Sequence, residues 1–478
     1  MQFADEQSVV QKAPESNPLS FADGLLTFDV QERLRLEFRE NNFDFNNDLD
    51  SLTDDGWLLQ RFRIGLLVKP ASWLKLYAQG QDAREIGSDR GDFPGVLGAE
   101  GDDTFDLRQG YIELGDTKLF PLILKAGRQI LSYGDERLVG AFDWNNVGRT
   151  FDAVKLRWEE KTWWVDAFAS TVVVPTRGQY NQSDIFNGNE TGRDQIFAGA
   201  YFSTAAVPFQ FTEVYGFYLS ENTGQPLFQP TALDDTGFFT IGFRMKSKPG
   251  AFAPQPMPES DGKVVADGKE IADVKSGPAP LPPKKPVGLD YTLEAAFQTG
   301  EVRGLDLTAF AAHLDVGYTF DAAWRPRIAL GYSYASGDSD PLDGDIETFQ
   351  NLFPTNHKFY GQADFFAWQN IHDLEVNFKV APVKSVTLRA DFHAFFLAST
   401  DDVWYRANGV TAVRPLNTAA RNADSYAGCE IDVLATWAVT KNVVLEAGYS
   451  HFIAGEYLND TGAASDADFG YVQATFTF

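Results

Sequence analysis

Hydrophobic and polar residues alternate along most of this chain, in segments of roughly 10 to 14 residues. In the last segment, Val472, Ala474, Phe476 and Phe478 share one face with a period of two. This period predicts β-strands with one polar and one apolar face rather than helices. The chain therefore belongs to the all-β class.

Short turns and long polar stretches alternate between these segments. Short turns are predicted near residues 68–72, 115–120 and 439–442, and long loops near residues 41–55, 131–148, 299–306 and 337–370. This asymmetry is typical of a transmembrane antiparallel β-barrel with short periplasmic turns and long extracellular loops. The count is about eighteen strands, although sixteen would also fit the pattern.

The composition agrees with a barrel in the bacterial outer membrane. No apolar run reaches the roughly 20 residues that a membrane-spanning helix needs. The mean hydropathy is −0.25, as expected where apolar outward and polar inward residues cancel. Aromatic residues make up 14% of the chain, which predicts girdles at the two membrane interfaces; an aromatic-rich β-sandwich or propeller is the alternative. A terminal Phe478 on an alternating strand also resembles the sorting signal of outer-membrane barrels.

We assign residues 1–24 to an N-terminal periplasmic segment and residues 25–478 to a single barrel domain. No signal peptide is visible at Met1, so we expect a mature or re-engineered form. One short-side connection, residues 246–286, is long and holds nine of the 23 prolines together with seven lysines. Its composition predicts a periplasmic insert that packs poorly. It is either a solvated linker or a plug or docking site for a periplasmic partner.

Strand alternation predicts which charged side chains face the lumen. A cation that faced lipid at mid-depth would cost about 2–4 kcal/mol, so the basic residues must point inward. The predicted lumen residues are Arg33, Arg35, Arg39, Arg61, Arg63, Lys75, Arg108, Lys155, Arg157 and Arg389. Arg128 is ambiguous, because Lys125 and Arg128 cannot share a face of one strand without a bulge.

The later strands carry mainly acidic inward positions. These are Asp290, Glu294, Asp315, Asp373, Glu375, Asp391, Glu430 and Asp432. In a closed barrel this acidic arc faces the basic arc of the first six strands, and the resulting field attracts anions to one wall. The alternative is an electroneutral interior without selectivity. Adjacent arginines with few neighbouring acids argue for selectivity, because like charges on neighbouring strands repel.

Several classes of function are disfavoured. The net charge of −27 makes nucleic acid an unsuitable partner. The single Cys429 excludes disulfides, and the five histidines show no metal-ligand spacing. We expect no enzymatic activity, because Asp373 and Glu375 lie two residues apart on one strand without a nucleophile and base beside them.

No cofactor is expected. Calcium could bind through the oxygen atoms of a loop that contains Asp338, Asp340, Asp343 and Asp345, although a solvated acidic surface is the alternative. Acidic external loops could also share divalent ions with lipopolysaccharide. Outer-membrane lipid and lipopolysaccharide are therefore expected partners.

Two groups of motifs resemble the alginate export family of Gram-negative outer-membrane barrels. They are ASGD at 335–338, TFQNLFPTNHKFYG at 348–361 and WQNI at 368–371, and, upstream, GRQ at 127–129, GDERLVG at 134–140 and FDWN at 142–145. The resemblance extends from about Leu25 to Phe478. It implies an eighteen-strand barrel with an arginine-rich constriction whose best-known member exports alginate, and it implies that Arg128 lies at that constriction.

The leading functional hypothesis is a passive, anion-selective pore for an acidic oligo- or polysaccharide. Arginines in series would replace the counterions of passing carboxylates, and many weak sites allow entry without trapping. The alternative is a general or nutrient-uptake porin without polymer specificity.

Overall fold

Eighteen long antiparallel strands form the wall of the protein in the computed structural model. The structure describes residues 19–49, 54–89, 101–175, 180–183, 193–223, 236–252 and 287–478. The strands are β1 (Leu26–Glu40), β2 (Asp55–Ala71), β3 (Leu74–Ile86), β4 (Asp103–Leu114), β5 (Leu122–Gln129), β6 (Phe151–Glu159), β7 (Trp163–Val172), β8 (Arg193–Thr204), β9 (Gln210–Thr223), β10 (Thr236–Ser247), β11 (Gly288–Val302), β12 (Leu305–Thr319), β13 (Arg327–Ala335), β14 (Ile371–Val383), β15 (Val386–Phe396), β16 (Tyr426–Ala438), β17 (Val443–Ala454) and β18 (Ala467–Thr477).

The other elements are short. Two-residue strands lie at Ser20–Phe21 and Asp345–Ile346, 3-10 turns at Ala22–Gly24 and Asn356–Lys358, and helices α1 (Thr418–Arg421) and α2 (Glu456–Thr461) in extracellular loops. No helix in the described part of the chain is long and apolar enough to cross a membrane.

Each long strand pairs with its neighbours in sequence, and the last strand pairs with the first. The β1–β18 register runs from Gln31 opposite Thr477 to Glu40 opposite Asp468. Phe478 continues the ladder, because its backbone N–H donates to the Val30 carbonyl at 2.9 Å. The prediction of a closed barrel of about eighteen strands is therefore confirmed.

The alternation of faces follows the sequence pattern on β1. Leu34, Leu36 and Phe38 are exposed on the outside, whereas Arg35 and Glu37 between them are buried inside. Exposed aromatic side chains also gather at the short-turn end, as an aromatic girdle requires. They are Trp73, Phe120, Phe209, Phe320, Trp324, Trp437 and Phe478.

One predicted long loop is wrong. Residues 299–306 belong almost entirely to β11 and β12, and only Arg303 and Gly304 lie between them. Both residues have positive φ, at 54° and 76°. Two central residues with positive φ form the type I′ turn, whose twist matches that of a β-hairpin. The polar residues around the turn therefore extend the strands instead of forming a loop.

The main hydrophobic core lies inside the barrel, because long loops fold inward onto the strands. Phe366 stacks on Phe395 of β15 with ring centroids 3.9 Å apart, and Phe365 contacts Phe452 of β17 at 5.2 Å. Trp404 stacks on Phe366 at 4.5 Å and donates its indole N–H to the Phe365 carbonyl. Each such buried ring contributes roughly 1.5–3 kcal/mol of transfer free energy.

The ends of the proposed periplasmic insert are described, but most of it is not. Lys246 lies near the end of β10 and residue 287 precedes β11, so the connection begins and ends at the short-turn side. Residues 253–286 and residues 1–18 lie outside the described part of the chain. Ser20 and Phe21 pair with the start of β1.

Candidate functional site: an arginine cluster held by an inward loop

Two long loops enter the barrel and contact its inner wall. We call residues 130–150, between β5 and β6, the first inward loop, and residues 336–370, between β13 and β14, the second inward loop. Neither has the alternating pattern of a strand, and each exceeds the roughly 12–15 residues beyond which an irregular loop is usually functional or disordered. Both are described in full.

Four inward arginines from β1, β2 and β4 converge on one residue of the first inward loop. The Asp143 carboxylate lies 2.8 Å from the Arg63 guanidinium and 3.2 Å from those of Arg61 and Arg108. The Asp143 carbonyl accepts hydrogen bonds from Arg33 at 2.8 Å and Arg61 at 2.9 Å. We call Arg33, Arg61, Arg63 and Arg108 the arginine cluster. Four positive charges thus surround one carboxylate.

The electrostatics of the arginine cluster keep Asp143 ionised. Burial alone raises the pKa of the carboxyl group, but the charges of Arg61, Arg63 and Arg108 outweigh burial and hold the pKa of Asp143 well below its usual range. Ion pairs between guanidinium and carboxylate groups are among the stronger hydrogen-bonded contacts in proteins. Asp143 therefore acts as an anionic anchor for the loop.

Asn146 fixes the same loop to the wall without charge. Its side-chain amide donates to the carbonyls of Gln60, Arg84 and Gly101 at 3.1–3.2 Å. Its side-chain oxygen accepts from Arg33 at 3.2 Å. The amide thus connects β2 and β3 to the loop beside the arginine cluster.

Trp144 joins the first inward loop to β1 and to the second inward loop. The Arg35 guanidinium lies 3.6 Å from the centre of the Trp144 ring and donates to the Trp144 carbonyl at 2.8 Å. On its other side the indole stacks on His357, with ring centroids 3.7 Å apart. Such cation–π and stacking contacts each contribute about 0.5–2 kcal/mol.

Backbone hydrogen bonds hold the two inward loops together. Phe353 donates to the Leu138 carbonyl and Gly140 donates to the Phe353 carbonyl, both at 2.8 Å. Thr355 donates to the Glu136 carbonyl at 2.9 Å, and the Lys358 ammonium pairs with the Glu136 carboxylate at 2.5 Å. The loops therefore form one unit, and movement of either affects the other.

The second inward loop has its own attachment to the wall. Arg39 of β1 donates to the Ala363 carbonyl at 2.7 Å, and the Ala363 N–H donates to Glu430 of β16 at 2.9 Å. Arg39 also lies 3.6 Å from the Asp364 carboxylate. Of the predicted lumen residues, Arg35 and Arg39 thus bind loop segments rather than facing an open channel.

The remaining predicted lumen cations, apart from Arg128, have carboxylate partners within the wall. Lys75 pairs with Glu113 at 2.5 Å, Lys155 and Arg157 pair with Asp166 at 3.3 and 2.6 Å, and Arg389 pairs with Asp391 at 2.5 Å. Lys75 and Arg389 each have a carboxylate partner of their own, whereas Lys155 and Arg157 share a single one. The arginine cluster is different, because its carboxylate partner comes from a loop.

The structure does not bring Arg128 to the arginine cluster. Arg128 pairs in register with Asp152, next to the inward Phe151; alternation directs both away from the lumen, and both are almost fully buried. There the guanidinium binds the two Asp152 oxygens at 3.0 and 3.1 Å and the Asn181 carbonyl at 2.9 Å. Lys125 takes the inward face, 3.9 Å from the centre of the Tyr111 ring. The matching motif indicated the family correctly, but not the side of the wall on which Arg128 lies.

The four aspartates proposed for calcium do not come together. Asp338, Asp340, Asp343 and Asp345 are all described, yet the metal-type grouping found among the described residues consists of Asp373, Glu375 and His393 instead. In the loop, Asp338 and Asp340 accept hydrogen bonds from nearby backbone N–H groups at 3.0–3.2 Å. These contacts stabilise the loop backbone.

A cavity of about 250 Å³ lies beside the two inward loops, bordered by β11 to β15. Its charged lining is mixed and comprises Asp135, Arg137, Asp315, Arg327, Lys358, Glu375, Lys379 and Arg389. Arg137 was not predicted as a site residue. It contacts the Tyr360 hydroxyl at 3.2 Å and the His313 ring at 2.8 Å.

Sequence reasoning missed the loop residues Asp143, Trp144, Asn146 and Arg137 as parts of the site. Alternation cannot assign a face to residues outside strands, so these residues carried no predicted orientation. The available signal was the length of the loop together with its conspicuous Phe-Asp-Trp-Asn motif, which served only to recognise a family.

Comparison with known proteins extends over nearly the whole chain. The family model described as alginate export matches residues 25–472. A search of curated protein sequences finds no match. Among solved structures, the Pseudomonas aeruginosa porin OccK11 (OpdR) is 12% identical, with 95% of this chain and 96% of that chain covered and a TM-score of 0.54.

Two further Pseudomonas aeruginosa structures have the same fold. OccD3 (OpdP) is 8% identical over 96% of this chain and 92% of its own, with a TM-score of 0.57. OpdK, solved with vanillate, is 11% identical over 95% of this chain and 98% of its own, with a TM-score of 0.56. At such low identity the likeness shows the fold alone.

Proposed function

The chain belongs to the alginate export family and forms a bacterial outer-membrane channel, and we propose that its cargo is an anionic saccharide. Passage is passive in this proposal, which means that the cargo moves down its own concentration gradient. Porins of this fold are typically channels rather than enzymes, and we propose no catalytic role.

The arginine cluster is the observation that carries the proposal. Three guanidinium groups, those of Arg61, Arg63 and Arg108, already bind the Asp143 carboxylate at 2.8–3.2 Å, and Arg33 binds the Asp143 backbone carbonyl at 2.8 Å. Uronate sugars present the same chemical group. Arginine suits this task because its planar fork pairs with carboxylate oxygens and stays charged at any physiological pH.

Release of the first inward loop would make the arginine cluster available to cargo. A passing carboxylate would replace Asp143, whereas Arg35 and Arg39 of β1 would keep Glu37 as a fixed partner, at 2.5 and 3.8 Å. Several partial sites in series support conduction, because each binds strongly enough for entry and weakly enough for exit.

A general porin is the second candidate. It is favoured by the paired charges elsewhere on the wall, such as Lys75 with Glu113 and Arg157 with Asp166. Such a lining imposes little net field on a solute. The two candidate functions therefore differ in one respect: the arginine cluster binds the cargo in the anionic-saccharide channel and does not in the general porin.

Selectivity measurements in planar bilayers test the proposal. The Arg61→Ala/Arg63→Ala double variant should shift the reversal potential toward cations and weaken block by oligouronates at least tenfold, since charged hydrogen bonds contribute about 1.5–3 kcal/mol each. Arg303→Gln is the control, because it removes an exposed arginine from the turn between β11 and β12 and should leave selectivity unchanged. Heat-modifiable gel mobility verifies that each variant folds.

Two outcomes would contradict the anionic-saccharide proposal. One is a wild-type channel that prefers cations. The other is a double variant whose selectivity and oligouronate block equal those of the wild type. Either result would favour the general porin.

A further inference from the structure

Acidic side chains from three adjacent strands surround a single histidine on the inner wall. They are Asp373 and Glu375 of β14, Asp391 of β15 and Glu430 and Asp432 of β16, with His393 of β15 at their centre. His393 stands directly opposite Glu375 on one side and Glu430 on the other. All except Glu375 are almost fully buried. Nearby, Arg389 compensates Asp391 at 2.5 Å, so much of the negative charge has no fixed cation beside it.

The two nitrogens of His393 have different surroundings. Nδ1 lies 3.0 Å from an Asp373 oxygen, which is a hydrogen bond. Nε2 lies 3.9 Å from a Glu375 oxygen and 4.0 Å from an Asp432 oxygen, which is too far for hydrogen bonds. A carboxylate on Nδ1–H fixes the tautomer and directs the lone pair of Nε2 outward, as in the carboxylate–histidine–metal arrangement.

The separations suit a bound ion. Metal–nitrogen and metal–oxygen bonds of about 2.0–2.2 Å place two ligands of one ion roughly 3–4.4 Å apart. The gaps of 3.9 and 4.0 Å fall within that range. The oxygens of Glu375 and Asp432 approach the same nitrogen from the two neighbouring strands, so small side-chain movements would complete the site.

A second observation also favours a bound cation. Asp432 is almost fully buried, and its oxygen Oδ1 has no hydrogen-bond partner among the described residues. An ionised carboxylate taken out of water without compensation costs several kcal/mol. A positive ion beside the buried carboxylate would reduce this free-energy cost.

An ion can reach this position from the lumen. Glu375 lines the cavity of about 250 Å³ described above. Asn377 also lines it and donates to Glu375 at 2.5 Å and to Asp391 at 2.6 Å, which orients both carboxylates.

We propose that His393, through Nε2, and the carboxylates of Glu375 and Asp432 form a binding site for a divalent first-row transition-metal ion in the lumen wall, with Asp373 orienting the imidazole through Nδ1. An imidazole together with carboxylates matches Zn²⁺ or Mn²⁺, whereas Ca²⁺ prefers oxygen ligands alone. The ion joins β14, β15 and β16 and reduces the negative charge of the acidic arc. This site is independent of the cargo proposed above.

Metal binding to the purified, chelator-treated full chain tests the site. Calorimetric titration with Zn²⁺ should show one ion per chain in the wild type. His393→Gln should weaken that binding at least tenfold. His313→Gln should not, because His313 is equally buried but contacts Ser333 and Arg137 rather than carboxylates.

A measurement on the wild type alone covers the case in which His393→Gln does not fold. Pulsed electron paramagnetic resonance of bound Mn²⁺ should show coupling to one imidazole nitrogen. Absence of both Zn²⁺ and Mn²⁺ binding at concentrations up to ~1 mM would overturn the proposal, as would bound Mn²⁺ without nitrogen coupling. The same holds if Zn²⁺ binding survives in a folded His393→Gln variant and disappears in His451→Gln, because His451 lies between Asp466 and Asp468 at the extracellular end.

Discussion

Replacing Asp143 by asparagine should release the first inward loop from the arginine cluster. The substitution preserves size and removes the negative charge that Arg61, Arg63 and Arg108 share. The backbone carbonyl of residue 143 would still accept from Arg33 and Arg61. The loop therefore loses its ionic anchor but keeps some of its hydrogen bonds.

The size of the effect follows from the burial of the partners. Removing one member of a buried ion pair typically costs about 3–5 kcal/mol. The Asp143 side chain is 35% exposed, so solvent screening reduces the loss, and we use about 2–3 kcal/mol. At about 1.4 kcal/mol per factor of ten, the docking equilibrium shifts roughly 30- to 150-fold toward the released loop.

Single-channel recording measures this shift directly. In Asp143→Asn the fraction of time in the highest conductance level should rise, and oligouronates should bind more tightly because Asp143 no longer competes. Asp321→Asn, on the exposed turn between β12 and β13, is the control for a lost aspartate charge. A conductance distribution within threefold of the wild type would refute the idea that Asp143 anchors the loop.

Three further predictions concern the same loop and the barrel wall. The pKa of Asp143 is depressed, so its contribution to loop docking is present above the ordinary aspartate pKa and is lost only as pH falls through the depressed value. The open fraction in single-channel recordings should therefore stay constant from about pH 8 to about pH 5, and a rise within that range would contradict this. Trp144→Ala removes the contact with Arg35 and should raise the open fraction several-fold in the same recordings. Gly304→Ala forces a side chain into positive φ and should destabilise the barrel by about 1–2 kcal/mol in urea unfolding from lipid vesicles, whereas Gly216→Ala, where an added Cβ meets no atom within 4 Å, should change little.

The orientation of side chains in the barrel wall was predictable because each strand residue can face only the lumen or the lipid. An arginine on the lipid side costs several kcal/mol, so alternation fixes Arg33, Arg61 and Arg63 as inward residues. The same rule separates Lys125 from Arg128, since residues three apart on a strand face opposite sides. Following the alternation rather than the family motif would have placed Arg128 on the outer face.

The contacts between the inward loops and the barrel wall were not predictable from the same pattern. Arg33 and Asp143 are 110 residues apart in sequence, and no local preference determines that contact. The hairpin at Arg303 and Gly304 was missed for a related reason. The run Gln298-Thr299-Gly300-Glu301 before the turn has no apolar residue, so hydrophobic alternation fades at the end of β11 although the strand continues.

Whether the carboxylate partner of a lumen cation lies on a strand or on a loop indicates whether the cation stabilises the wall or is available to bind cargo. Lys155 and Arg157 share the carboxylate of Asp166 on the adjacent strand, where the backbone ladder fixes the distance. The arginine cluster has its carboxylate on the first inward loop, which no strand ladder holds in place.

Neutralisation of the arginine cluster therefore depends on where that loop lies. Four like charges on β1, β2 and β4 repel one another once Asp143 departs, and the repulsion favours any anion that can replace it. A polymer with many carboxylates supplies such an anion repeatedly. In a pair fixed within the wall, such as Lys155 with Asp166, a cargo carboxylate cannot replace the fixed one in this way. We therefore propose that the arginine cluster, rather than the lumen charge as a whole, recognises the cargo.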